Sequence, residues 1–262
     1  MQRQRREKQG NGFTFIELMV SMVIASFVFA GIYGVYTIQQ RSYTVQEQVS
    51  EMQQKGRAAL DYMVRDIRMA GYNDPNGGCT SRNITSWNNW VAQPATLTFD
   101  TCNPVTNNQE TIRYDLLGNT LRRTVDSGTA QTIAEDVEAI EFYYALESNT
   151  TPGTMQSPSV TSVTGVNNIQ RIRSVQISLL IRSTFPDRKY RDEILYQPGS
   201  VLDPNNIPAP PAWDINEGAT DTNGTGNPPT IDPDGCDDEL DRCHYHRRLL
   251  ITTVKMRNMG LD

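Results

Sequence analysis

The chain has 262 residues, with 24 basic and 30 acidic side chains, a net charge of −6 and a pI near 5.1. That balance leaves no surplus of Lys and Arg to coat nucleic acid, so no nucleic-acid partner is expected. With only two histidines, and no HExxH, phosphate-binding glycine loop or activated Ser or Cys motif, catalysis finds no foothold and the chain reads as a non-enzyme.

Residues 1–12 are a polar leader in which Arg3, Arg5, Arg6 and Lys8 face one acid, Glu7. From Leu18 to Ile38 follow 21 residues without a charge, and the next charged side chain is Arg41. About 20 such residues suffice to cross a bilayer, so residues 13–40 read as a membrane helix. An ordinary secretory signal is cut after its apolar core and loses it. Here the Gly12-Phe13 junction precedes that core, and cutting there leaves a product that begins with its membrane helix. A plain signal anchor, with Gly12 and Glu17 incidental, is the competing reading. An acid inside an apolar helix is costly in lipid, however, and marks a residue with a partner or a task. In either reading the basic leader stays in the cytoplasm and the rest follows the helix outward into the periplasm.

Gly12-Phe13-Thr14-Phe15-Ile16-Glu17 resembles the N-terminus of type IV prepilins and type II secretion pseudopilins. The resemblance implies cleavage between Gly12 and Phe13 by a prepilin peptidase/methyltransferase and N-methylation of Phe13. It also makes Glu17 the acid at position five of the mature chain. In a filament the new amine of Phe13 sits in apolar surroundings. A Glu17 carboxylate meeting the amine of a neighbouring subunit avoids a buried unpaired charge and sets the axial register. The alternative is that Glu17 snorkels to the headgroups alone.

No proline occurs before Pro75, so one helix is predicted from Phe13 to Ala70, 58 residues or about 87 Å. Over residues 41–71 the apolar pattern becomes one-faced: Val45, Val49, Met52, Gly56, Ala59, Met63, Ile67 and Ala70 recur at steps of three and four. That is the pattern of an amphipathic helix laid on a globular domain. Gly71 is placed to cap it, with Arg65 and Arg68 suiting the dipole of its last turns. Gly31 and Gly34 either loosen the membrane half or permit close helix packing.

Residues 72–262 read as a β-rich globular domain. Period-two alternation predicts strands over Ala95–Thr101, Thr111–Leu116, Thr120–Val125, Val137–Leu146, Arg173–Arg182 and Leu249–Arg257, with a hairpin turn at Leu117-Gly118-Asn119. The fold class that follows is α+β, a long N-terminal helix packed on an antiparallel sheet with one face covered. Ser148–Asn168 and Gln197–Asp241 read as loops, the second an unusually long surface excursion.

Four cysteines in an exported domain read as disulfides. Three connectivities are possible, and the sequence-local one pairs Cys79 with Cys102 and Cys236 with Cys243. Cys243-His244-Tyr245-His246 is the nearest approach to a metal motif, but the spacing back to Cys236 is too wide for a zinc knuckle. No cofactor is expected apart from calcium, for which Asp232, Asp234, Asp237, Asp238 and Asp241 are the candidate ligands. A solvated acidic loop explains the same residues. Trp87, Trp90 and Trp213 are candidates for lining a ligand site, but turn-proximal core aromatics are the commoner case.

Two further stretches extend the resemblance. Leu60 to Tyr72, with Ile67-Arg68-Met69-Ala70-Gly71-Tyr72 leading to Cys79, is similar to the end of the first helix in PilW-type minor pilins. Leu250–Asn258 is similar to their C-terminal strand. The resemblance implies a pilin-like fold and a minor pilin that helps start pilus assembly. Its implied partners are other minor pilins, the major pilin and a PilY-type tip protein. The competing member of the wider family is the secretion pseudopilin GspJ. A third reading makes the acidic excursion a tip adhesion module.

Overall fold

The structure, a computed structural model, describes residues 13–72, 91–92, 96–103, 105–106, 108–148, 171–192, 194, 196–202 and 244–256. The chain divides into two compact units, Met1–Glu47 and Gln48–Asp262. In the first unit, α1 (Phe15–Arg68) begins and runs on without a break, as expected of a stretch with no proline. Its bounds lie within two residues of the predicted ones. Helix continuity at Gly31 and Gly34 is intact, and neither glycine approaches another group.

In the second unit the remainder of α1 meets eight strands: β1 (Val91–Ala92), β2 (Thr96–Cys102), β3 (Gln109–Leu117), β4 (Thr120–Val125), β5 (Gln131–Ala134), β6 (Val137–Leu146), β7 (Ile172–Arg182) and β8 (Arg247–Lys255). All pairings are antiparallel, but they form two sheets where the alternation suggested one. One sheet has the order β1-β2-β3-β4-β5 and the other β6-β7-β8. Alternation reports which face of a strand is buried, not which strand it bonds to, so the division was not readable. The break falls at the two-residue link between β5 and β6, where Asp136 adopts φ 62. Asp tolerates this left-handed conformation better than most residues. Its carbonyl accepts the Arg182 amide at 2.9 Å and its carboxylate accepts the Thr184 hydroxyl at 2.8 Å. The β3–β4 hairpin closes Leu117 on Thr120 with Gly118 at φ 57, the conformation required at the first position of a type II′ turn.

Of the predicted stripe, Met52, Gly56, Ala59, Met63, Ile67 and Ala70 are buried, with Leu60 beside them, while Val45 and Val49 are half-buried. They join Leu97, Phe99, Ile112, Tyr114 and Leu121 of the first sheet and Phe142, Tyr144, Val175, Ile177, Leu179 and Val254 of the second in one core. Gly56 sits at the closest approach: a Cβ there would lie 2.6 Å from Leu250 Cδ1, the far end of a flexible side chain, and 3.3 Å from Ile181 Cγ2, so only a small residue fits. Helix and sheet meet where there is no side chain to keep them apart.

The expectation that one face of the sheet is open needs correction for the second sheet. Glu141, Tyr143, Ser178 and Leu180, on the face away from α1, are buried as well. Tyr196 and the residues 197–202 that follow it, read from sequence as the start of the long loop, cover that face. Tyr196 packs on Leu180, and the short helix α2 (Gly199–Leu202) is fastened by polar bonds. The Gly199 amide donates to Ser178 Oγ at 2.9 Å and the Ser200 amide to Glu141 at 3.1 Å, while the Ser200 hydroxyl donates to the same carboxylate. Gly and Ser look like loop residues in isolation; here they are small enough to bring the backbone onto a buried acid.

Candidate assembly site

The residues singled out for processing and assembly lie at the start of α1. Phe13 is 87% exposed, and Phe15, Ile16 and Leu18 after it are also exposed. The N-terminal part of the helix is long and apolar enough to cross a membrane, and among the described residues none buries that window. Such a surface has to be covered by lipid or by other subunits.

Glu17 stands in the first turn with its carboxylate engaged. Oε2 accepts the Thr14 amide at 3.2 Å and the Thr14 hydroxyl at 3.3 Å, and the Glu17 amide lies 3.4 Å from Thr14 Oγ1. This is a capping box: the Ser/Thr at the cap and the Glu three residues on satisfy each other's free donors. The sequence carried its signature, Thr14-Phe15-Ile16-Glu17 ahead of an apolar run, and the reading of Glu17 by its charge alone did not use it. Gly12 lies outside the described residues.

Within the second unit, the C-terminal part of α1 makes polar contacts that apolar periodicity does not report. Asp66 Oδ2 accepts the Tyr114 hydroxyl at 2.6 Å and Arg123 Nε at 2.7 Å, joining the helix to β3 and β4. Arg123 also lies over the Tyr62 ring, 5.6 Å from its centroid. Burial, with Asp66 opposite, holds the Tyr114 phenol far above its ordinary pKa, so it acts only as a donor. Gly71, at φ 70, ends the helix and donates its amide to Asp100 O at 2.9 Å; the Cys102 amide donates to Tyr72 O at 3.2 Å. Thr101 Oγ1 adds a bond to Met69 O at 2.8 Å. The segment Arg65–Tyr72 is therefore stitched to the edge of β2.

Cys102 is buried on β2 and disulfide-bonded, and the other half of its bridge lies outside the described residues. Cys79, Cys236, Cys243, the candidate calcium ligands Asp232, Asp234, Asp237, Asp238 and Asp241, and Trp87, Trp90 and Trp213 also lie outside them. Among the described residues no group of three His, Cys, Asp or Glu side chains is placed to hold a metal. The two histidines serve packing. His244 Nδ1 is 2.6 Å from Tyr190 O, and the His246 ring stacks on Tyr190 at 3.9 Å.

A buried ionic cluster on the outer face of the second sheet also went unread. The Arg247 guanidinium, with no exposed side-chain surface, bonds Glu138 through two nitrogens and lies 3.3 Å from Asp192. Tyr196 donates its hydroxyl to Asp192 at 3.0 Å, and Arg182 pairs with Glu138 at 3.2 Å beneath the Tyr245 ring. Two cations against two acids compensate one another, and the cluster fixes the crossover after β7 to the start of β8. Its partners are separated by up to 109 positions, so no local pattern announces them.

Comparison with known proteins gives two family matches. The model of type IV pilus-assembly protein W matches residues 100–258, about three-fifths of the chain, and that of the prokaryotic N-terminal methylation motif matches residues 8–33. No curated protein matches the sequence. Among solved structures, a type IV-like pilin from Thermus thermophilus aligns at 12% identity and TM-score 0.43, over 80% of this chain and 98% of that one.

Proposed function

This chain belongs to the PilW family of type IV pilus-assembly proteins, and on that premise we propose that it is a minor pilin that helps initiate pilus assembly. Its place is at or near the tip, with other minor pilins, the major pilin and a PilY-type adhesin as neighbours. The observation that carries this reading is the methylation motif running directly into an unbroken helix whose apolar N-terminal window is unburied and whose far end packs in a folded domain. That arrangement suits a subunit that waits in the inner membrane and leaves it for a filament. The basic leader faces the cytoplasm and the domain beyond α1 faces the periplasm. A prepilin peptidase cuts between Gly12 and Phe13 and methylates the new amine. Glu17 supplies the carboxylate that this amine needs once both are out of water. The protein's work is structural, with no reaction of its own.

Deletion of the gene, with complementation, is the test. Loss of surface pili, and recovery of the complementing protein in the sheared pilus fraction, is the expected result. Normal piliation with a secretion defect would replace this reading with the pseudopilin one. Removal of Asn205–Asp232 separates assembly from tip adhesion: loss of pili assigns that segment to assembly, whereas piliated but non-adherent cells assign it to binding.

A further inference from the structure

The crossover that leaves β7 sorts its charges by sign. Residues 183–192 carry two acids, and both turn inward. Asp192 is fully buried against Arg247 and Tyr196, and its Oδ1 accepts the Ile194 amide at 3.2 Å. Asp187 Oδ1 accepts the Lys189 amide at 3.2 Å, and its Oδ2 lies 3.7 Å from His246 Nε2. The cations between them, Arg188, Lys189 and Arg191, are exposed instead. So are two apolar side chains on either side, Phe185 at 64% and Ile194 at 55%. The backbone beneath is fixed: Ser183 and Asp187 donate their amides to His246 O and His244 O at 2.7 and 2.6 Å, and Tyr190 O lies against His244 Nδ1. A segment held in this way loses little further freedom on binding.

Cations interleaved with exposed apolar side chains suit an anionic lipid interface, where the charges meet headgroups and the apolar groups enter between them. The place in the fold agrees. Within the second unit, Ile181 and Leu250 lie at Gly56 and Asp136 lies 3.9 Å from Lys55, whereas the first sheet is joined to α1 at Asp66. The crossover therefore leaves its sheet ten positions nearer the apolar end of α1, about 15 Å along a helix. We propose that the face formed by Phe185, Arg188, Lys189, Arg191 and Ile194 docks on anionic phospholipid headgroups of the bilayer that holds the subunit before assembly. Tethering through α1 supplies the high local concentration of lipid that so small a patch needs. Joining a filament breaks the contact, which makes it a brake on departure from the membrane. The proposal rests on the reading of the chain as a membrane-anchored subunit and adds a second point of attachment to it.

The test reconstitutes full-length protein in nanodiscs of phosphatidylcholine alone or mixed with phosphatidylglycerol. Acylation of Lys189 is measured by mass spectrometry against Lys255, which is exposed at the far end of β8. In the anionic discs Lys189 should react about fivefold more slowly, the factor for the roughly 1 kcal/mol that a cation gains at such a surface. High salt should restore the rate. Arg188→Gln with Arg191→Gln, and separately Phe185→Ser, should weaken the protection without shifting the melt, because all three side chains are exposed. Equal relative rates in the two kinds of disc, or protection that these variants keep in full, would overturn the proposal and leave the membrane anchor standing. Failure of the chain to enter discs at all would overturn both. Protection indifferent to lipid, and lost when Asp232, Asp234, Asp237, Asp238 and Asp241 are changed to Asn, would also overturn it and give the face to the acidic excursion.

Discussion

Replacing Asp66 should loosen α1 from the domain it carries, by an amount the contacts allow us to work out. The carboxylate accepts the hydroxyl of the fully buried Tyr114 at 2.6 Å and Arg123 Nε at 2.7 Å, and the Asp66 and Arg123 side chains are 17% and 13% exposed. A hydrogen bond to a charged group is worth about 1.5–3 kcal/mol, and breaking a buried pair costs about 3–5 kcal/mol because the partner is stranded. Partial exposure lets water reach Arg123, so Asp66→Ala should cost about 2–4 kcal/mol. In a domain of this size that lowers Tm by roughly 5–15 °C. Tyr114→Phe should cost less, about 1–2 kcal/mol, since Asp66 keeps Arg123. Thermal and urea unfolding of full-length protein in detergent, run as a double-mutant cycle with Arg123→Met, checks the reasoning. The double variant should be at least 1 kcal/mol more stable than the sum of the singles implies. Strictly additive costs would show that the three groups are neighbours without being a network.

Four further outcomes can be checked. Gly56→Leu should destabilise by about 1–3 kcal/mol by overpacking against Leu250 and Ile181, whereas Gly56→Ala should be near neutral, a gain in helix propensity of about 1 kcal/mol offsetting the displacement of one flexible leucine end; paired melts read both. Burial pushes the Glu141 carboxyl above its ordinary pKa and the Ser200 bonds pull it back. The folded state therefore holds this proton more tightly than the unfolded one, and its contribution to stability falls as pH rises above about 4.5. Ser200→Ala removes a bond to the ionised form, so its cost, about 1–2 kcal/mol at pH 7, should shrink at pH 4, and an equal cost at both would refute the argument. Non-reducing peptide mapping of exported protein should recover Cys79–Cys102 and Cys236–Cys243, and the calcium proposal is dropped if chelator leaves the melt unchanged.

The parts of this molecule legible in its sequence were those governed by period and punctuation. Alternation marked β6 at its true bounds, Gly118 marked the hairpin, and the stripe from Met52 to Ala70 marked the buried face of α1. What escaped depends on pairings across long separations. Asp66 looked like one more surface acid until Tyr114 and Arg123, 48 and 57 residues on, were brought to it. Glu141 and Ser178 looked solvent-facing by alternation, and only the return of residues 196–202 buries them. The short strands β1 and β5 have too few residues to display a period at all. At the candidate site the balance was similar. Glu17 stood out as the one acid in an apolar run, while its bonds to Thr14 were missed because a charge was weighed in lipid before it was weighed in its own helix turn.

The central claim is that this protein leaves the membrane as a processed subunit of a filament. Intact-mass measurement of the protein recovered from sheared pili tests it most directly. The account predicts a chain of residues 13–262 carrying one added methyl group and no free thiols. Protein found only in membranes, or recovered from pili with residues 1–12 still attached, would contradict it.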